Sequence, residues 1–244
     1  MGRRWIKLDK VASTNSYAST LLNGGRVKEE VIVVADYQGS GRGQGDRLWH
    51  SEPGKNLLMS LLLFPAFLSA SRQFQLSRVA SLAICDALDS MDMEPVIKWP
   101  NDILTSKGKI AGILIEHGII GKNISHTIVG IGMNVNQIDF PNFPVPATSV
   151  FLEKGITPSL QMVAEIVVSR IMSRYEALRN GRGKGLEQEF LDKLYLRNQL
   201  AQFKTSEEKF QGIIRGVTDM GELQVERDGR LFTFNHGEID CLAI

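Results

Sequence analysis

The order of apolar and polar positions along the chain predicts a mixture of strands and helices. Trp5 to Leu8 reads as a short strand. Ser13, Thr14 and Asn15 offer helix-capping side chains ahead of Tyr17, Ala18, Leu21 and Leu22, which recur at helical spacing. Val31 to Ala35 is continuous and mostly β-branched, the pattern of a buried strand. Asn56 to Phe64 is a second apolar strand, and Leu76, Val79, Ala80, Ala83, Ile84, Ala87 and Leu88 trace one face of a helix. Val96 to Trp99 predicts a strand that Pro100 ends, Lys107–Gly108 a hairpin tip, and Ile110 to Glu116 and Thr127 to Val135 two further strands. The segment 140–146 carries three prolines and reads as a loop. Helical spacing returns from Pro158 to about Leu178 and again over Leu186 to Leu196.

The pattern changes near Asn198. Phe210 to Ile214, Leu223 to Glu226 and Leu231 to Phe234 predict short strands separated by Asp-Met-Gly and Asp-Gly turns, which suits a small β-barrel module. The expected division is therefore a large unit over 1–197 and a small one over 198–244. Fixed-period repeats and low-complexity tracts are absent from the sequence.

Composition narrows the class. Of 244 residues, 43% are hydrophobic and 23% charged, as in ordinary globular proteins. The formal net charge is +1, far from the basic balance of a protein that holds nucleic acid by bulk charge. Cys85 and Cys241 make neither a disulfide scaffold nor a zinc knuckle. The N-terminal residues lack a signal-peptide pattern and no apolar run is long enough to span a bilayer. The expected location is cytoplasmic, with no membrane partner.

Four segments carry candidate chemistry. Gly39, Gly41, Gly43 and Gly45 alternate after the strand ending near Ala35, with Arg42 and Arg47 among them. Such a loop either turns backbone N–H groups onto an anion or is a flexible connector. It fits neither the Walker A nor the Rossmann pattern. Lys98–Trp99–Pro100–Asn101–Asp102 places two short polar residues at a strand end, as ligand contacts or as an Asx turn. Lys109 enters an apolar strand at Gly108–Glu116, pointing either at an anionic ligand or into solvent. Gly130 and Gly132 interrupt a β pattern before Asn134, which marks either a pocket wall or a β-bulge. The four histidines show no metal-ligand spacing, and no metal site is assigned to protein side chains.

Taken in order, these segments resemble the biotin protein ligase family, the biotin–[acetyl-CoA-carboxylase] ligases. The resemblance rests on Ser13–Thr14–Asn15, on Tyr37–Gln38 with Gly41–Arg42–Gly43, Arg47 and Trp49, on Lys98 to Asp102, on Lys109, Ala111 to Leu114 and Glu116, and on Gly130, Gly132 and Asn134. It implies an α+β fold: a mixed-sheet catalytic domain, class II aminoacyl-tRNA-synthetase-like, followed by an SH3-like barrel. It implies formation of biotinyl-5′-AMP from biotin and ATP with Mg2+, then transfer of biotin to a lysine of a biotin carboxyl carrier protein or domain. Carried over by motif, Ser13, Thr14, Asn15, Gln38, Gly41, Arg42, Gly43, Gln44, Lys109, Gly112 and Gly130 are the expected biotin contacts. Gly112 and Gly130 are expected to make room for biotin. Arg47, Trp49, Asn101, Asp102, Lys109 and Asn134 are the expected nucleotide contacts, and Lys109 and Arg42 the catalytic cations.

Two departures from the family pattern add expectations. Gln44 stands where a second loop arginine is common, and Gly45–Asp46–Arg47 where an Arg/Lys–Gly pair is common. A neutral amide bonds a phosphate without neutralising it, so looser retention of biotinyl-AMP is expected unless Arg47 or Lys55 substitutes. About twelve residues precede Ser13, so a DNA-binding helix-turn-helix domain and operator binding are not expected. The loop 39–47 is expected to order on ligand binding. A homodimer or a carrier domain is expected to pair with an edge strand such as 110–116 or 127–135. The rival readings are a lipoate or octanoyl ligase of the same superfamily and a non-enzymatic nucleotide- or RNA-binding module.

Overall fold

In a computed structural model, residues 3–25, 27–45 and 47–242 are described. Met1, Gly2 and loop residue Asp46 therefore lie outside the described residues. The chain forms a seven-stranded mixed sheet and a five-stranded antiparallel sheet. The first sheet contains β1 (Arg4–Val11), β2 (Val31–Gln38), β3 (Asn56–Leu63), β4 (Val96–Lys98), β5 (Asp102–Thr105), β6 (Gly108–Ile120) and β7 (Asn123–Asn134). Their order is β1-β2-β3-β7-β6-β5-β4, and only β1 and β2 run parallel.

β3 is buried at every position because helices cover both faces of the sheet centre. Successive side chains of a strand point to opposite faces. Leu57, Met59, Leu61 and Leu63 of β3, with Val129, Ile131 and Met133 of β7, join the main core under α2 (Phe74–Asp89) and α4 (Leu160–Arg179). Leu62 and Ile128 face the other way and pack with Ala18 and Leu21 of α1 (Thr14–Asn23). That second face also receives Ser60, Gly112, Leu114, Gly130, Gly132 and Asn134. A step of one residue along a strand thus separates core from site.

The second sheet contains β8 (Leu200–Lys204), β9 (Lys209–Val217), β10 (Leu223–Arg227), β11 (Arg230–Phe234) and β12 (Asp240–Leu242), in the order β11-β10-β9-β8-β12. It is an open sheet, with β11 and β12 at its edges. Its buried Ala201, Phe203, Ile214, Val217, Leu223 and Val225 belong to the same apolar cluster as the main core.

Several expectations need correcting. The helix predicted over Leu186 to Leu196 is α5 (Leu186–Asp192). Leu196 and Asn198, both at φ 58°, adopt left-handed backbone that turns the chain toward β8. β5, β8, β12 and the short α3 (Val150–Lys154) were not predicted. β7 lies between β3 and β6, so 127–135 is no edge strand. β6 pairs with β5 over Gly108–Gly112, and only its outer edge beyond Ile113 lacks a strand partner among the described residues. The β-bulge reading of Gly130 and Gly132 also fails, since the register of β7 runs unbroken through both. No helix of the described residues is long and apolar enough to cross a membrane.

Candidate active site

A cavity of about 900 Å³ opens on the second face of the first sheet. Ser13, Thr14, Asn15, Gln38, Arg42, Gly43, Gln44, Arg47, Trp49, Asn101, Asp102, Lys109, Gly112, Gly130 and Asn134 all line it. Of the residues expected to contact biotin or nucleotide, Gly41 alone does not. A Cβ at Gly41 would lie 2.8 Å from the Trp49 carbonyl oxygen, so this glycine serves the turn of the loop.

One end of the cavity is uncharged and polar. Ser13 precedes α1 in N-cap position, but its side chain makes no capping bond. Thr14 donates to Gln38 Oε1 from its backbone nitrogen at 2.7 Å and from its hydroxyl at 3.0 Å. Buried Ser60 lies 2.7 Å from Thr14 Oγ1 and 2.6 Å from Asn15 Oδ1, so its single proton serves one of them at a time. Asn15 Nδ2 donates to the Leu114 carbonyl and, at 2.7 Å, to Glu116. Gly130 lies directly beneath Asn15, whose side chain a Cβ would overlap. Ser60 was not singled out in the sequence, although a lone hydroxyl within Asn-Leu-Leu-Met-Ser-Leu-Leu-Leu is a legible signal.

Two cations flank the middle. Arg42 Nη2 donates to both carboxylate oxygens of Glu116, at 3.0 and 2.9 Å. Lys109 Nζ lies 2.6 Å from Asp102 Oδ1 and 5.5 Å from the Trp49 ring centroid. Each cation is thus held by a carboxylate on the sheet. The glycine-rich loop is a tight return: Arg42 bridges Leu48, Gly43 N donates to the Arg47 carbonyl at 2.7 Å, and Trp49 N to the Gly41 carbonyl at 2.8 Å. The Trp49 indole rests on the sheet, where a Cβ at Gly132 would overlap it and one at Gly112 would lie 3.0 Å away. The bare backbone at Gly112, Gly130 and Gly132 is therefore occupied by Trp49 and Asn15 rather than left as open space.

The far end is built from strand ends and loops. Asn101 Nδ2 donates to the Ile113 carbonyl at 2.7 Å, fastening the residues after Pro100 to β6 rather than closing an Asx turn. Asn134 Nδ2 donates to the Thr148 carbonyl at 2.9 Å, and its buried Oδ1 has no partner. The proline-rich loop clamps the start of β6: Lys109 N donates to the Pro146 carbonyl at 2.7 Å, over Gly108 at φ +140°. No residue with a side chain adopts that backbone conformation without strain. Phe140, Phe143 and Val145 of the same loop make an apolar wall, and Lys204, Asp240, Cys241 and Leu242 reach the cavity from the second sheet. Sequence reasoning missed both groups, because nothing local in either announces a distant pocket. His236, between β11 and β12, has its pKa lowered, first by burial and then by Arg47. Among the described residues, no group of three or more His, Cys, Asp or Glu gathers to hold a metal ion.

Residues 8–134, just over half of the chain, match the Biotin/lipoate A/B protein ligase family. A bifunctional ligase/repressor BirA of Bacillus spizizenii is 39% identical over 145 residues, covering 58% of this chain and 44% of that protein. The chain thus spans less than half the length of that relative. A biotin–[acetyl-CoA-carboxylase] ligase of Mycobacterium tuberculosis is 26% identical over 246 residues, covering 98% of this chain and 90% of that protein. Among solved structures, a biotin protein ligase from Aquifex aeolicus in complex with biotin and ATP superposes with a TM-score of 0.80 at 27% identity, covering 98% of this chain and 99% of that one. The mixed α+β architecture, the ordered motifs and these likenesses lead to one assignment: the chain belongs to the biotin/lipoate A/B protein ligase family.

Proposed function

We propose that this chain condenses biotin with ATP to biotinyl-5′-AMP and then transfers the biotinyl group to a lysine of a biotin carboxyl carrier protein. The observation that carries this reading is one cavity in which Arg42 and Lys109 stand between an uncharged polar end and the Asn101–Asp102 strand end. It is supported by relatives named as biotin ligases and by the likeness to one in complex with biotin and ATP.

The chemistry asks for this arrangement. In the first step a carboxylate oxygen of biotin attacks the α-phosphorus of ATP, and the bond from that phosphorus to the bridging oxygen breaks, releasing pyrophosphate. Both reactants are anions, so repulsion dominates the barrier. Cations fixed in advance lower it and orient the attack. Lys109 is read as bridging the carboxylate and the α-phosphate, and Arg42 with the amides of Gly43 and Gln44 as holding the acyl-phosphate portion. Gln38 spends Oε1 on Thr14, which leaves its Nε2 free to donate to a ureido oxygen. Trp49, Arg47, Asn101, Asp102 and Asn134 are read as surrounding the nucleotide. In the second step the carrier lysine amine attacks the acyl carbon, the bond to the AMP oxygen breaks, and the nitrogen loses one proton. Magnesium would neutralise phosphate charge. Asp102 and Asn101 offer the oxygens that suit an ion held mainly by phosphates and water.

The polar end favours biotin over lipoate. Gln38 Nε2, whose amide oxygen is already taken by Thr14, presents a donor that a ureido oxygen pairs and a dithiolane leaves unpaired, which penalises the apolar ligand. Residues 198–244 are read as an SH3-like barrel module, supported by the change of sheet at β8, and the protein as cytoplasmic. Incubating the chain with labelled biotin, ATP and a carrier domain tests the function. Label fixed covalently to lysine, with pyrophosphate exchange dependent on biotin and not on lipoate, is the expected result. Exchange with lipoate alone would contradict it.

A further inference from the structure

The nucleotide end of the cavity is fastened from behind by the turn joining β9 and β10. The turn closes on itself, with Gly221 N donating to the Thr218 carbonyl at 3.0 Å and Thr218 N to the Glu222 carbonyl at 2.9 Å. Arg78 of α2 reaches it with a side chain only 1% exposed. Its Nη1 donates to Asp219 Oδ1 at 2.9 Å and its Nη2 to the Val217 carbonyl at 3.0 Å. Gln75 Nε2 meets the same Asp219 oxygen at 3.3 Å, and Phe74 N donates to the Asp219 carbonyl at 3.3 Å. Gly221, at φ +98°, lies against the Phe74 ring, where a Cβ would come within 2.8 Å. From the other side Trp99 Nε1 donates to the Gly221 carbonyl at 2.9 Å, and the His236 ring packs 6.1 Å from the Trp99 ring.

Trp99 is three residues from Asp102, which holds Lys109. A buried guanidinium costs more than an apolar side chain of similar volume unless fully paired, so packing alone does not explain Arg78. What a fork of directed bonds provides is a single register for the turn. The same turn accepts from Trp99 on one side and from Arg78 and Phe74 of α2 on the other, so it links α2 to the chain that runs on to Asp102. We infer that the turn of residues 218–222 positions the Asn101–Asp102 strand end for nucleotide binding, with Arg78, Asp219 and Trp99 as its positioning residues. None of the three belongs to the set of residues read above as touching biotin or nucleotide.

This inference rests on reading the chain as an ATP-dependent biotin ligase. The test is biotin-dependent ATP–pyrophosphate exchange by the full chain, comparing the parent with Asp219→Asn, Asp219→Glu, Trp99→Phe and the Asp219→Asn/Trp99→Phe pair. Trp99→Phe keeps a ring and deletes the one N–H that reaches Gly221. Binding of biotin without nucleotide reports whether each variant is folded. The expected result is a KM for ATP raised on the order of tenfold in each of Asp219→Asn and Trp99→Phe, with biotin binding unchanged. Asp219→Glu restores at least part of the loss, and the double variant is no worse than the poorer single one, as expected for residues acting through one turn. An unchanged KM for ATP in a variant that binds biotin normally would overturn the inference. So would equal loss of biotin and ATP binding, or two effects that simply multiply. A parent with no exchange at all would instead contradict the proposed function.

Discussion

Arg42 and Glu116, 74 residues apart, meet in a pair in which one guanidinium nitrogen bonds both carboxylate oxygens, while Glu116 also accepts from Asn15. Both side chains are about two-fifths exposed. Solvent screening at such a site limits the contribution to folding to about 1 kcal/mol or less. The pair is therefore read as holding Arg42 at the cavity wall, not as holding the fold. Glu116→Gln keeps an acceptor for Asn15 and removes the charge that anchors Arg42. Melting should barely move, while kcat/KM for biotin should fall about tenfold, equivalent to ~1.4 kcal/mol of barrier. Thermal denaturation and exchange kinetics on one preparation check both.

Lys109 is asked to do more than Arg42, since it is read as touching both reacting anions. Lys109→Ala should lower the rate of biotin-dependent exchange by about 10²–10³, the scale of losing one preorganised donor at a developing charge. Biotin binding without nucleotide should change much less. Intact exchange in this variant would remove Lys109 from the mechanism.

The glycines under the cavity make a steric prediction. A Cβ at Gly130 overlaps the Asn15 side chain, which is itself tied to Ser60, Leu114 and Glu116. Gly130→Ala should displace Asn15, weaken biotin binding and cost roughly 1–3 kcal/mol of stability, as overpacking a filled site does. A Cβ at Gly132 overlaps the Trp49 indole, so Gly132→Ala should instead raise the KM for ATP. Separate titrations of biotin and ATP distinguish the two.

Acid sensitivity should come in part from His117 on β6. Burial is the main cause that pushes its pKa down to about 4, with His126 adding to the effect, and its Nδ1 lies 2.9 Å from Thr127 Oγ1. The unfolded chain binds a proton at this group near pH 6.5, where the folded chain does not. Stability from His117 is therefore complete above about pH 6.5 and declines as pH falls toward 4. His117→Gln should flatten the dependence of melting temperature on pH across that window. An unchanged slope would show that other groups set it.

Much of this was legible in the chain because it is periodic or local. The unbroken apolar run of β3 announced a strand, and the glycines of β7 announced a close approach to the backbone, which Asn15 and Trp49 make. The pairings that hold the cations were not legible. Glu116 and Arg42 meet only because β6 and the loop after β2 converge across the sheet, and sequence spacing carries no sign of that. Lys204 and Asp240 were invisible for the same reason: short β8 and β12 have little periodicity of their own, and their docking depends on Phe203 and Ala201 entering the main core. The helix predicted to Leu196 stops at Asp192 because the chain must turn there to enter the second sheet, a tertiary demand that overrides local propensity.

The central claim is that two fixed cations draw two anions together within one cavity. A crystal of this chain grown with biotin and a non-hydrolysable ATP analogue tests it most directly. The account predicts the biotin ring beside Thr14 and Gln38, and Lys109 within hydrogen-bond reach of both the carboxylate and the α-phosphate, with Arg42 against the same pair. Ligands bound away from Arg42 and Lys109, or biotin seated with its carboxylate turned from the nucleotide, would contradict it.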